Sequence, residues 1–220
     1  MTALLRYTVS ILVHSQRYLA PVLLFLGFLG LFAKDAGSYP APPVFASMAG
    51  AALVCSAWLT VALAGLEDRV RRMVTAVAVG RSWPLLVAVV LVVLGTFLLL
   101  ACVAVAMPAA LGNKEMTWLD VGAGLGTQLT ATCVGTAIGL VSSRLVIRRA
   151  GYALITTLAL LLVFLLVKGM PPVNPLIIQV SRTRTADQAL LAAVGGAGAI
   201  AVVLLAVAMV ATQAVLARRD

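Results

Sequence analysis

At 220 residues the chain is long enough for one sizeable unit, but 63% of its residues are hydrophobic, only 10% are charged, and its mean hydropathy is +1.12. A water-soluble domain carries roughly a quarter charged residues, so this composition excludes an ordinary soluble enzyme or binding module and indicates an all-α, multi-pass membrane protein. The net charge of +9 reads as an orientation signal with attraction to anionic membrane lipid; no basic face interleaved with stacking aromatics offers a surface to nucleic acid.

Residues 3–17 form the first element. Arg6, Ser10, His14 and Arg17 share one polar stripe, with Leu5, Val9, Leu12 and Val13 largely away from it, the pattern of a helix lying flat in the membrane interface. The other reading is an N-terminal extension of the first span. The apolar run starts too late, and lacks the small-residue pattern, for a cleaved signal peptide. Six transmembrane helices follow, over about 18–36, 44–65, 84–107, 119–141, 150–168 and 188–215. The first contains Pro21 near its start and meets Lys34 and Asp35 early, so it is expected to be short or oblique.

Between spans two and three, Leu66 to Trp83 is a charged island. Glu67 with Arg71, and Asp68 with Arg72, are i,i+4 pairs in the favourable order. Leu66, Val70, Met73, Val74 and Val77 share a helical face and Gly80 suits the stop. The spacing predicts an amphipathic helix over 66–78, a shaped knob for a soluble partner; alternatively the loop only orients the protein. In span four, Gly122, Gly124, Gly126, Gly135 and Gly139, with Gly195, Gly196 and Gly198 in span six, suggest close helix contacts, either within the chain or at a dimer seam. After span five, Met170-Pro171-Pro172-Val173-Asn174-Pro175-Leu176-Ile177-Ile178-Gln179-Val180 is apolar but too short to cross, and its prolines forbid a straight continuation. It reads as a re-entrant element dipping into the outer face or as a surface turn.

Six spans put both termini on one side. That side collects eleven cations, Arg6, Arg17, Arg69, Arg71, Arg72, Arg81, Arg144, Arg148, Arg149, Arg218 and Arg219, against five on the other, Lys34, Lys114, Lys168, Arg182 and Arg184. The richer side is assigned to the cytoplasm. The chemistry the sequence lacks is as informative. Cys55, Cys102 and Cys133 are scattered through spans, His14 is the only histidine, and no GxxxxGK[ST] loop occurs, so no metal site, catalytic residue or nucleotide site is expected. No acidic residue lies near a span midpoint, which argues against proton coupling.

The whole chain resembles, by architecture and over its full length, the membrane subunit of an ATP-binding-cassette (ABC) transporter of the type-2 permease group, the exporter-like half-transporter arrangement. The matching features are the interfacial helix 3–17, the six spans with cytoplasmic termini, the helix 66–78 and the outer segment 170–180. The resemblance implies an exporter permease that is not itself an enzyme and carries no cofactor of its own. A separate ABC ATPase subunit, holding ATP and Mg, would energise it, and a second membrane subunit, most simply a C2 homodimer, would complete it. It implies that Glu67, Asp68, Arg69, Arg71 and Arg72 transmit the ATPase stroke. Met170, Pro171, Pro172, Asn174, Pro175, Leu176 and Ile177 would form the outer gate, a modest one because the outer region is short. Alanine-, valine- and arginine-rich usage suggests a GC-rich bacterium, and the resemblance then implies its cytoplasmic (inner) membrane. The competing reading is a regulatory, assembly or immunity membrane protein that transports nothing.

Overall fold

The computed structural model describes residues 2–33, 40–65, 83–110, 116–143, 145–147, 150–167 and 169–218. Within them the chain is helical, in eight segments: α1 (Thr2–Ser15), α2 (Leu19–Ala33), α3 (Ala41–Ala64), α4 (Trp83–Ala110), α5 (Trp118–Ser142), α6 (Ala150–Leu166), α7 (Val173–Arg182) and α8 (Gln188–Ala217). Four of them, α3, α4, α5 and α8, are long and apolar enough to cross a bilayer. A fifth crossing results if α1 and α2, bent by 79° at their junction, count as one span, and α6 is a shorter apolar helix over Gly151–Leu166. At 1.5 Å per residue, the 15 residues of α2 extend about 22 Å against a hydrocarbon core of about 30 Å.

Local chemistry sets the boundaries. Gln16, with φ of 54°, turns the chain out of α1, so the N-terminal helix stops at Ser15 rather than reaching Arg17. Of its apolar residues Leu12 is buried, while Val9 and Val13 are half exposed. Pro40 precedes α3, and Pro42 and Pro43 occupy its first turn, where no intrahelical N–H is needed. The start of α5 is a capping box: the Thr117 hydroxyl accepts from the Asp120 N–H, and the Asp120 carboxylate accepts from the Thr117 N–H at 2.8 Å. The Asp187 carboxylate caps α8 by accepting from the Leu190 N–H at 2.8 Å.

The core is built around α5. It packs most extensively on α3 and then on α8, with α4, α6 and α7 completing its surroundings. Glycines set these approaches. A Cβ added at Gly124 would meet the Phe45 ring at 2.7 Å, one at Gly135 would collide with Ser56 and the Leu53 carbonyl, and one at Gly139 would lie 2.6 Å from Thr60 and 2.7 Å from the Ala57 carbonyl oxygen. Both numberings rise together, so α3 and α5 run parallel. Gly122 against Leu191, Gly126 against Val194 and Thr130 against Gly198 align α8 the same way. The contacts made by this run of small residues are therefore within the chain, while Gly195 and Gly196 face open space. On the other side of α3, Met48, Ala52, Cys55 and Leu59 join Phe25 and Leu29 of α2 and Phe97 of α4; the Phe25 and Phe97 rings meet edge to face at 5.8 Å.

Candidate functional site

The segment 170–180 becomes a turn and a helix. Gly169 has φ of 82°, in the left-handed region open to glycine, and α7 follows over Val173–Arg182. Val173, Leu176 and Val180 recur at i, i+3 and i+7 and are buried, while Pro175, Ile178 and Gln179 are exposed. The α7 helix is therefore a wedge. Val173 packs with Ala49 and Leu53 of α3, Ala131 of α5 and Leu161 of α6. Leu176 and Val180 pack with Ala46, Ala123, Leu190 and Val194, and Ile177 joins both groups. Of the other proposed gate residues, Pro172 and Asn174 are buried, Met170 is half-buried and Pro171 is exposed. All seven therefore lie in one short stretch at a single end of the bundle.

Two polar contacts hold the wedge. The Asn174 amide Nδ2 donates to the Leu165 carbonyl at 2.7 Å, satisfying an orphan acceptor at the end of α6. Across the bundle, the Asp120 Oδ1 accepts from the Ala186 N–H at 2.7 Å while its Oδ2 accepts from both the N–H and the hydroxyl of Thr117. Asp120 is 2% exposed, and its carboxylate binds the loop between α7 and α8 to the start of α5. Charge-assisted bonds of this kind are worth about 1.5–3 kcal/mol each. Midway along α6 the Thr157 hydroxyl donates to the hydroxyl of Ser142, the last residue of α5, at 2.8 Å.

The bundle interior is polar by hydroxyls. Thr127, Thr132, Thr136 and Ser142 on α5, Thr60 on α3 and Thr212 on α8 each donate to the carbonyl four residues back. That bonding makes a hydroxyl tolerable without water. Gln128 departs from the pattern. It is 1% exposed, and among the described residues neither its Oε1 nor its Nε2 has a hydrogen-bond partner. An apolar cavity of about 20 Å³, lined by Leu63, Ala64, Leu85, Leu86, Val89, Leu140 and Leu145, lies between α3, α4 and α5, with room for little more than one water.

One stripe of α3 stays open: Pro43, Ser47, Gly50, Val54, Trp58 and Val61 are half-buried or exposed in an otherwise buried helix. On the helical wheel it separates the face that packs with α2 and α4 (Ala52, Cys55, Leu59) from the face that packs on α5 (Leu53, Ala57), where Gly135 and Gly139 make their close approaches.

The proposed coupling residues Glu67, Asp68, Arg69, Arg71 and Arg72, and Arg81, Arg144, Arg148 and Arg149, lie outside the described residues. Among the described residues no three His, Cys, Asp or Glu side chains converge as metal ligands. Sequence reasoning missed the Asp120 bridge, the buried Gln128 and the open stripe of α3. Thr117-x-x-Asp120 was legible as a cap, and Gln128 as an amide near the midpoint of span four; the stripe depends on tertiary packing and has no local signature. Comparison with protein-family models, with curated proteins and with solved structures gives no significant match.

Proposed function

We propose that this chain is the permease subunit of an ATP-driven exporter of the ABC type, crossing the membrane six times with both termini cytoplasmic. In this reading α2 and α6 cross despite their shortness, by local thinning of the bilayer, and the protein works as a C2 homodimer in a bacterial cytoplasmic membrane. A separate ATPase docks on the 66–78 segment through Glu67, Asp68, Arg69, Arg71 and Arg72, holding the ATP and Mg that the permease does not. The observation that carries the reading is the α7 wedge. An amphipathic helix inserted into one end of a bundle, held by one amide and one carboxylate, is a part that can seat and unseat as the helices beneath it repack. A protein that served only as a static scaffold has no need of such a part.

The test is recovery of the partner. The chain, tagged and purified from its native membrane, should bring an ATPase with it in fixed ratio. Reversal of Arg71 and Arg72 to Glu should lose the ATPase while leaving a folded, inserted protein, because like charges set against a complementary face cost several kcal/mol at an interface and little in a solvated segment. Wild-type protein purified without any ATPase would end the export reading and leave a regulatory or immunity role.

A further inference from the structure

The side-chain hydrogen bonds that tie one element to another are unevenly placed. Thr157 joins α6 to Ser142 of α5, Asn174 joins α7 to the end of α6, and Asp120 joins α5 to the loop leading into α8. Among the described residues none joins α3 to α5, α6 or α7, although α3 and α5 share the most extensive contact in the bundle. Ser56 and Thr60 stand on that seam beside Gly135 and Gly139, yet both hydroxyls return to carbonyls of α3 itself. Parting α3 from α5 therefore costs apolar contact and breaks no side-chain hydrogen bond. Gln128 sits on the same seam. It follows Gly124 by four residues and precedes Gly135 by seven, so it shares their α3-facing stripe. Along α5 it lies between Ala123 and Ala131, the levels at which Leu176 and Val173 of α7 pack, with Ala46 and Ala49 of α3 beside them. The contacts of α7 with α3 are apolar, while its polar attachments run to α6 and, through the following loop, to α5. The Gln128 amide, buried and unpartnered among the described residues, gains hydrogen bonds when water enters.

We propose that α3 parts from α5 beneath α7, that α7 leaves α3 and stays with α5, α6 and α8, and that the Gln128 amide binds the water that enters. The inference rests on the export reading for its use, since it names the surfaces that separate when the wedge unseats, but its test needs no ATPase.

In the purified full chain with Cys55, Cys102 and Cys133 replaced by alanine, single cysteines are placed at Ala49 on α3, at Ala123 on α5 beneath the same wedge, and at Ala201 on α8. All three positions are buried, and each is timed against a small water-soluble methanethiosulfonate. Ala49→Cys should react readily, and Ala123→Cys and Ala201→Cys far more slowly. Adding Gln128→Leu, which removes the gain from water, should slow Ala49→Cys about tenfold, the worth of one or two hydrogen bonds; Gln128→Asn, which keeps an amide, should slow it less. Similar rates at all three positions would mean that the whole bundle breathes. A fast Ala123→Cys beside a fast Ala49→Cys would mean that α7 lifts off both helices. Either result overturns the proposal, as does an unchanged rate in Gln128→Leu. A second readout needs no cysteine. In the unmodified chain with 15N-labelled glutamine, the Gln128 side-chain NH2, identified by its loss in Gln128→Leu, should exchange with deuterium, because only access of water limits it. Protection from exchange overturns the proposal; exchange alongside an unreactive Ala49→Cys would reveal water trapped in a closed seam and overturns it equally. A seam that opens in a protein recruiting no ATPase would remove the export reading alone, and a closed seam in one that recruits its ATPase would remove this inference alone.

Discussion

Gly139 and Gln128 show the two ways a single side chain matters inside this bundle. At Gly139 the absence of a side chain lets α5 approach the backbone of α3, and a methyl there must displace the Ala57 carbonyl or Thr60. Gly139→Ala should therefore lower stability by about 1–3 kcal/mol, the usual cost of overpacking, seen as a lower thermal unfolding midpoint in detergent. Gly195→Ala, with open space around it, should leave the midpoint unchanged or slightly raised. Gln128 has the opposite sign. Its amide is buried with both polar atoms unpartnered, and a buried unsatisfied group costs about 1–3 kcal/mol. Gln128→Leu, similar in volume and fully apolar, should raise the midpoint; a fall would mean that the amide has partners worth more than its desolvation. The sequence marked Gly135 and Gly139 as packing residues because small residues at i, i+4 are what a close crossing requires. It could not show that Gln128 lacks a partner among the described residues, since that depends on which side chains tertiary packing brings around it.

Among the elements, α7 depends most on its attachments. Its buried face is only four residues, Val173, Asn174, Leu176 and Val180, so the Asp120 bridge carries much of that end of the bundle. Asp120→Ala removes one carboxylate and leaves the Thr117 and Ala186 N–H groups without it. The loss should be about 3–6 kcal/mol, two charge-assisted bonds at about 1.5–3 kcal/mol each. Limited proteolysis should then cut within 183–187 faster than in the wild type, and an unchanged rate would show that apolar packing alone seats the wedge. The helical content of this segment was only half legible beforehand. Its prolines announce that α6 must end, but whether the following residues dip inward or lie on the surface depends on whether a groove of matching shape exists between α3, α5, α6 and α8. That groove is made by residues more than 40 positions earlier as well as by those just after.

At the scale of the molecule, hydropathy and burial run in opposite directions. In an 18-residue apolar stretch of each span, the share of residues buried is 72% in both α3 and α5, but 39% in α4 and 22% in α8, although α4 and α8 are the more apolar. The physical reason is that lipid favours aliphatic surface while helix contacts favour small and hydroxyl residues, so the least hydrophobic spans belong at the centre. Element boundaries were legible to within a few residues because long uncharged runs are unmistakable. Which helix touches which was not, because every span looks alike to a hydropathy scale. Orientation rests on the cation asymmetry, and it makes a firm expectation: in a cysteine-free background, Thr75→Cys should react with an impermeant reagent only after the cells are permeabilised. Reaction in intact cells would invert the topology. The Asp120 bridge has a bearing on how such a chain is made. Asp120 and Ala186 are 66 residues apart, so a ribosome delivering the protein from its N-terminus inserts α5 long before the partner of its carboxylate has left the exit tunnel. Until then that carboxylate has only its local bonds to Thr117, which cap α5. Closure of the bridge to Ala186 is therefore a late event of biogenesis.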